Sequence, residues 1–363
     1  MNDFKAEPQA LRDAMLSAVS RVFDSGWYVL GNEVSSFELQ WASSCGVAHG
    51  VGVGNGLDAL EIALRGLGVG LGDEVITTPM TAFATVLAIL RTGAKPVLAD
   101  IDPDTALLSL ESVKRCLSSK VKAVVLVHLY GQLRCMDEWR AFCSKYELFL
   151  IEDCAQAHLA SWQGKGAGSF GNAGAYSFYP TKNLGATGDA GMLVTDDDDL
   201  AERAARLRNY GQSERYHHPE LGMNSRLDEI HAAILVERVK WLPEFTERRR
   251  QIASAYCLNI ANPLVRMLSQ PEEADAHVYH LFVITCERRE ELMEHLLRHN
   301  IQSLMHYPVP MHLQEPCVDF RCDPSGLKST ERHASTCLSL PCHPQMSDVD
   351  IERVIASVNS FKG

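Results

Sequence analysis

Lys182 lies in the run Ser177-Phe178-Tyr179-Pro180-Thr181-Lys182-Asn183-Leu184-Gly185, and an earlier apolar run closes on Ile151-Glu152-Asp153. An amine and a strand-end carboxylate are the two groups that a pyridine aldehyde needs from a protein. The amine condenses with the aldehyde as a Schiff base. The carboxylate keeps the ring nitrogen protonated, so that the ring can accept electrons from a carbanion. This is the chemistry of pyridoxal phosphate. A single lysine and aspartate do not establish it, because most such pairs are a solvated side chain and an ordinary turn; their neighbours decide.

Val53-Gly54-Asn55-Gly56-Leu57-Asp58-Ala59-Leu60 runs from a strand through glycines into a helix. Amides at a helix N-terminus favour a phosphate, and small residues let it come close, though the same turn could be a plain helix cap. Phe83 opens the next helix, where an aromatic could stack on a ring or simply join the core. After Asp153, Gln156 could reach a ring hydroxyl, and His158 could hydrogen-bond Asp153 or be a satisfied structural histidine. Ser177 could offer its hydroxyl to the phosphate, and Gly185, Gly188 and Gly191 leave room for a ligand. Gly166-Ala167-Gly168-Ser169-Phe170-Gly171 has dinucleotide-loop spacing, but it follows a polar turn and leads into a strand, so that match is set aside.

These residues need a scaffold. Strands are expected at His49 to Gly54, Glu74 to Pro79, Lys95 to Ile101, Lys122 to Gly131, Leu148 to Cys154, Ala173 to Tyr179 and Gly191 to Thr195. Helical patterns fall at Asp58 to Leu67, Thr81 to Arg91, Leu108 to Leu117 and Met136 to Tyr146. Such alternation predicts an α/β fold with a mostly parallel sheet between helices, and ligands in such sheets bind beyond the carboxyl ends of the strands. Asp153 lies at such an end, as do Gly56, after the first strand, and Phe83, after the second. The rest is mainly helical to Ile260, with a polar loop from Gly211 to Asn224. A strand from Ala276 to Cys286, a helix from Arg288 to His299, a short strand from Thr336 to Leu340 and a last helix from Asp348 to Val358 complete the pattern. We expect a large domain over 1–245 and a smaller α+β domain over 246–363, hinged near 240–260. The acidic run Asp196-Asp197-Asp198-Asp199 reads as a turn with a helix cap.

Composition narrows the function. The 363-residue, 40.2 kDa chain carries a net charge of −12, which argues against nucleic acid as a partner. No apolar run reaches membrane-spanning length, and Met1-Asn2-Asp3-Phe4-Lys5 lacks the pattern of a signal peptide. The 11 cysteines show neither disulfide nor metal spacing, so a reduced, cytoplasmic protein without a metal is expected.

Taken together, the motifs resemble the DegT/StrS-type sugar aminotransferases, a branch of the aspartate aminotransferase superfamily (fold type I). The likeness covers nearly the whole chain. It starts at Gly31-Asn32-Glu33-Val34 with Phe37-Glu38, and takes in the Asn55 turn, the run from Glu152 to His158 and the Lys182 segment. It continues through Gly222-Met223-Asn224-Ser225-Arg226-Leu227-Asp228-Glu229 and His306-Tyr307-Pro308-Val309-Pro310-Met311-His312-Leu313-Gln314 to Leu340-Pro341-Cys342-His343-Pro344. The resemblance implies a seven-stranded, mostly parallel sheet. Lys182 would hold pyridoxal 5'-phosphate, Asp153 its ring nitrogen, Gln156 its hydroxyl and Phe83 its face. Gly56, Leu57 and Ser177 would bind the phosphate, and Asn224 would reach the phosphate of a neighbouring subunit in a homodimer with shared sites. Leu57 stands where many relatives have threonine, and Leu159 where a glycine is common.

The implied reaction takes an amino group from L-glutamate, releasing 2-oxoglutarate and leaving pyridoxamine phosphate, which passes it to a nucleotide-linked keto-sugar. Tyr216, His217, Arg226, Tyr307 and His312 are the candidate substrate contacts. Tyr179 before Lys182, Asn183 to Gly185, and Gly188-Asp189 resemble members that aminate the third sugar carbon rather than the fourth. A dTDP-3-keto-6-deoxyhexose and a UDP-linked 3-keto-hexosaminuronate both remain open. The rival readings are a pyridoxamine-dependent sugar dehydratase, which Lys182 opposes, a keto-cyclitol aminotransferase, and a regulatory homologue without turnover.

Overall fold

The computed structural model describes residues 3–363; Met1 and Asn2, the start of the segment inspected for a signal peptide, lie outside it. Two helices, α1 (Gln9–Ser25) and α2 (Asn32–Cys45), come first. A βα alternation follows: β1 (His49–Val53), α3 (Gly56–Gly66), β2 (Glu74–Thr77), α4 (Phe83–Arg91), β3 (Lys95–Leu98), α5 (Leu110–Arg115), β4 (Val121–Val127), α6 (Met136–Lys145) and β5 (Phe149–Asp153). A small hairpin, β6 (Ser161–Trp162) and β7 (Lys165–Gly166), precedes β8 (Ala173–Ser177) and β9 (Gly191–Thr195). The seven long strands fall where the sequence places them, each shorter by a residue or more at one end in most cases.

Alternation along the strands explains the layering. In β4, Val124 and Leu126 join a core with Phe37 and Trp41 of α2 and Trp139 and Phe142 of α6. Ala123 and Val125 point the other way, into a core with Ile62 of α3, Ile89 of α4 and Leu200 of α7 (Asp198–Leu207). The strand order is β1-β9-β8-β5-β4-β2-β3-β12, the last being the late strand Arg321–Cys322, with β9 antiparallel to both neighbours and the other pairs parallel. The side chain of Asp197 caps α7 by accepting from the Leu200 amide at 2.9 Å, as its acidic run predicts.

After α8 (Glu229–Arg238), the stretch expected to hinge is a continuous helix, α9 (Leu242–Asn259). Beyond it come β10 (Arg266–Met267), β11 (Phe282–Thr285), α10 (Arg289–Arg298), β12 (Arg321–Cys322), α11 (Lys328–Thr336), β13 (Cys337–Leu340) and α12 (Asp348–Ser360). Strands β10, β11 and β13 form a separate antiparallel sheet, packed with α9, α10 and α12 around Tyr256, Leu292, Leu338 and Val358.

Two differences from expectation have physical causes. The predicted strand from Ala276 shrinks to β11, because the backbone before it is committed elsewhere. Val278 donates to the Gly131 carbonyl at 2.9 Å, and the buried Arg249 guanidinium donates to the carbonyls of Tyr279 and His280. The large sheet also gains an eighth strand, the two-residue β12, docked beside β3 with Arg321 on Glu74 at 2.8 Å.

Candidate active site

Asp153 ends β5 on the face that carries α3 and α4, because it shares strand parity with Ile151. It is buried. Its Oδ1 accepts from the Ala155 amide at 3.1 Å and its Oδ2 from the Thr85 hydroxyl at 2.8 Å. Its neighbour Glu152 points to the opposite face and is fully buried. There it accepts from the amides of Gly168, Phe170 and Gly171 and pairs with His128 at 2.8 Å. The glycine-rich run with dinucleotide spacing therefore cradles an anion after all, but that anion is the protein's own carboxylate.

Lys182 follows β8 in a turn closed by its amide on the Tyr179 carbonyl at 2.9 Å. Gly185 is required here: a Cβ would lie 2.4 Å from the Pro180 carbonyl oxygen. Asn183 ties the turn to the later part of the chain, through the Val278 carbonyl at 3.2 Å and His280 Nδ1 at 3.1 Å. The partly buried amine of Lys182 loses hydration, which lowers its pKa, and the nearby Asp153 carboxylate opposes that shift. A lysine in this setting deprotonates more readily than one in water, as a nucleophile toward an aldehyde must.

The turn into α3 forms a cradle. The Asn55 side chain caps the helix by accepting from the Asp58 amide at 2.9 Å, and Ser225 ties Gly54 to Asp58 through bonds of 2.9 and 2.7 Å. Gly56 faces Ser177 so closely that a Cβ would meet the serine Cβ at 2.8 Å. Gly191 backs the turn, and a Cβ there would lie 2.3 Å from the Asn55 carbonyl carbon. Helix geometry leaves the first amides of α3, at Gly56 and Leu57, without carbonyl partners in their own helix. Open amides at a helix N-terminus, a serine hydroxyl beside them, a deprotonation-prone lysine and a buried carboxylate form a set of groups that fits pyridoxal phosphate.

Other expected residues divide into two groups. Phe83, first residue of α4, remains 36% exposed, so it is not lost to the core. Gln156 is buried; its carbonyl accepts from the Tyr130 amide at 2.6 Å and its amide donates to Tyr307 Oη at 3.3 Å. Burial and the Asp153 charge push the Tyr307 hydroxyl up to about 12, so it stays protonated as a donor.

His158 requires correction. It does not orient Asp153. Its Nε2 lies 3.0 Å from the Ser177 carbonyl, an acceptor, so the proton is on Nε2, and Nδ1 is buried without a partner among the described residues. The ring packs among Trp41, Tyr176 and Phe178. Burial, with a smaller push from Lys182, lowers its pKa to about 3, so it is neutral and structural. The bond expected from it is supplied by Thr85, whose oxygen also lies 2.8 Å from Thr81 Oγ1. The four-residue spacing of these threonines at a helix start was the signal available in the sequence.

The remaining candidates have partners of their own. Asn224 is exposed and bridges Asn209. Tyr216 is exposed beneath the Arg215 guanidinium, and His217 hydrogen-bonds Ser213 at 2.9 Å. Arg226 lies over the Tyr210 ring and on Asn209. His312 pairs with Glu331 at 3.2 Å.

Fold and site together define a pyridoxal-phosphate-dependent aminotransferase of fold type I. The sequence model of the DegT/DnrJ/EryC1/StrS aminotransferase family matches residues 9–359, and the chain belongs to that family. It is 44% identical, over 95% of its length and 94% of the relative, to dTDP-3-amino-3,6-dideoxy-alpha-D-galactopyranose transaminase of Aneurinibacillus thermoaerophilus. It is 39% identical, over 99% and 98%, to a pleiotropic regulatory protein of Geobacillus stearothermophilus. Among solved structures, S. venezuelae DesV in complex with a ketimine intermediate superposes with a TM-score of 0.95 at 41% identity, covering 98% of this chain and 96% of DesV.

Proposed function

We propose that the protein transfers an amino group from L-glutamate to the third carbon of a nucleotide-linked 3-keto-sugar, for an amino sugar of a surface polysaccharide or glycosylated natural product. The observation that carries this reading is the pairing of a deprotonation-prone Lys182 with Asp153 beside Tyr179, which is 50% exposed at the same turn. The name of the Aneurinibacillus relative, a 3-amino-sugar transaminase, supports the same carbon. A regulatory role without turnover fits poorly with a chain that keeps Lys182, Asp153 and Gln156. A dehydratase fits poorly with the lysine.

When bound, pyridoxal phosphate would supply the electron sink. Lys182 would hold it and move a proton between the substrate carbon and the cofactor. Asp153 would pair with the ring nitrogen and Gln156 with the ring hydroxyl, through the amide hydrogen not used by Tyr307. Phe83 would cover the ring, while Gly56, Leu57 and Ser177 would hold the phosphate. Tyr307, already in this group, is the favoured substrate contact. Tyr216, His217 and Arg226, on an exposed loop with Asn224, would serve a partner subunit's site. His312, held by Glu331, is left out.

The same proposal includes a homodimer with shared sites. An exposed apolar patch supports it: Trp27 is 63% exposed beside Phe23, Tyr28 and Val29, and Val29 is bridged to Asp228. Of the domains over 1–245 and 246–363, the second is supported by its own core around Tyr256 and Val358, although its strand β12 docks on the large sheet and α9 runs across the boundary. A cytoplasmic location agrees with the free cysteines and with the absence, among the described residues, of any helix long and apolar enough to cross a membrane. The decisive experiment supplies glutamate with a panel of dTDP-linked 3-keto- and 4-keto-6-deoxyhexoses, UDP-linked 3-keto-uronates and keto-inositols, reading product mass. We expect amination of a 3-keto-sugar; amination of a 4-keto-sugar or cyclitol alone would overturn the assignment.

A further inference from the structure

We propose that Thr85, supported by Thr81, is a positioning residue that fixes the rotation of the Asp153 carboxylate. The inference rests on reading Asp153 as the partner of the ring nitrogen. An aspartate carboxylate turns with little resistance about its last torsion, so its direction comes from whatever holds its oxygens. Here each oxygen has one protein donor: the Ala155 amide on Oδ1 at 3.1 Å and the Thr85 hydroxyl on Oδ2 at 2.8 Å.

The direction of the hydrogens follows from the chemistry. An ionised carboxylate only accepts, so Thr85 must give its single hydrogen to Asp153. The 2.8 Å contact between Thr81 and Thr85 must therefore run from Thr81 to Thr85. Both threonines are 1% exposed, so no water competes. A hydroxyl that accepts one hydrogen bond donates the next more strongly. The chain thus ends in a firmly held oxygen, with lone pairs on the carboxylate left for a ring N–H.

Position in the fold adds a second function. Thr85 sits in the first turn of α4, two residues after Phe83. One helix start thus presents both the aromatic at the ring face and the hydroxyl behind the ring-nitrogen partner, so a shift of α4 moves the two together.

The test compares Thr85→Val, which keeps the shape and removes the hydroxyl, with Thr85→Ser, which keeps the hydroxyl, and with Asp153→Asn. Cofactor dissociation constants, the pH dependence of the visible absorbance of cofactor-loaded protein, and kcat and KM for glutamate are measured on each. Thr85→Val should weaken cofactor binding about tenfold or more, move the absorbance titration in the same direction as Asp153→Asn, and lower kcat about tenfold with KM within about twofold. Thr85→Ser should restore all three. Thr81→Val should change the same quantities less, and it carries the test if Thr85→Val proves insoluble. Wild-type spectra and binding in the threonine variants, with Asp153→Asn impaired, would overturn this inference alone. Wild-type behaviour in Asp153→Asn would overturn the reading of the carboxylate beneath it.

Discussion

An amine attacks an aldehyde only through a free lone pair, and burial gives Lys182 that lone pair at lower pH than water would. Lys182→Ala should therefore leave a folded protein that gains no lysine-linked visible absorbance with pyridoxal phosphate and loses turnover by about three orders of magnitude or more. Absorbance spectroscopy and a 2-oxoglutarate assay check this, and retained turnover would contradict it. The placement of Lys182, Asp153 and Gln156 was legible in the sequence because each is fixed by its distance from a strand end. His158 was not. Its partner is a carbonyl of β8, brought beside it by sheet pairing, and no local spacing records that contact. Thr85 was passed over for the same reason, since its acceptor lies across the sheet.

At the scale of elements, the cradle depends on three pieces of chain meeting without side chains between them. Gly191, first residue of β9, presses on the backbone of Asn55 and Gly56. A methyl group at 191 would lie 2.3–2.8 Å from Asn55 and Gly56 backbone atoms, which have no rotamer with which to yield. Gly191→Ala should displace the start of α3, weakening cofactor affinity about tenfold or more and lowering the melting temperature by several degrees. Equilibrium dialysis and a thermal melt read the two effects; unchanged affinity would mean that the turn does not hold the phosphate. Strand and helix periodicity made these elements readable. The short β12 escaped because a two-residue strand has no period, and its position is decided by β3.

Considering the whole molecule, buried and half-buried histidines set an acid limit. Burial lowers the pKa of His158 and His277 to about 3, and of His306, His333 and His343 to about 4, from 6.5. Their folded values lie below the unfolded ones, so as pH falls below about 6.5 the unfolded chain takes up protons that the folded chain refuses. Stability should fall from pH 7 toward pH 4 and stop falling on this account below about pH 3. Calorimetry at pH 7 and pH 5 should show the lower midpoint at pH 5; equal midpoints would contradict it. Subunit architecture has its own test. Co-expressed Lys182→Ala and Asn224→Ala chains should regain up to about a quarter of wild-type activity, because half the sites in each mixed dimer would be intact. Activity no greater than the two variants separately would argue against shared sites.

Glu152 and Asp153 stand next to each other and look in opposite directions, one fastening a loop beneath the sheet and the other turned to Thr85 of α4. Deleting or inserting one residue ahead of them in β5 would exchange their places, leaving the fastener on the α4 face and the acid proposed to meet the ring nitrogen in the foundations. The strand's phase is therefore constrained twice over, by assembly and by chemistry. Drift in length along this lineage is to be sought in the outer loops, where neither acid would notice.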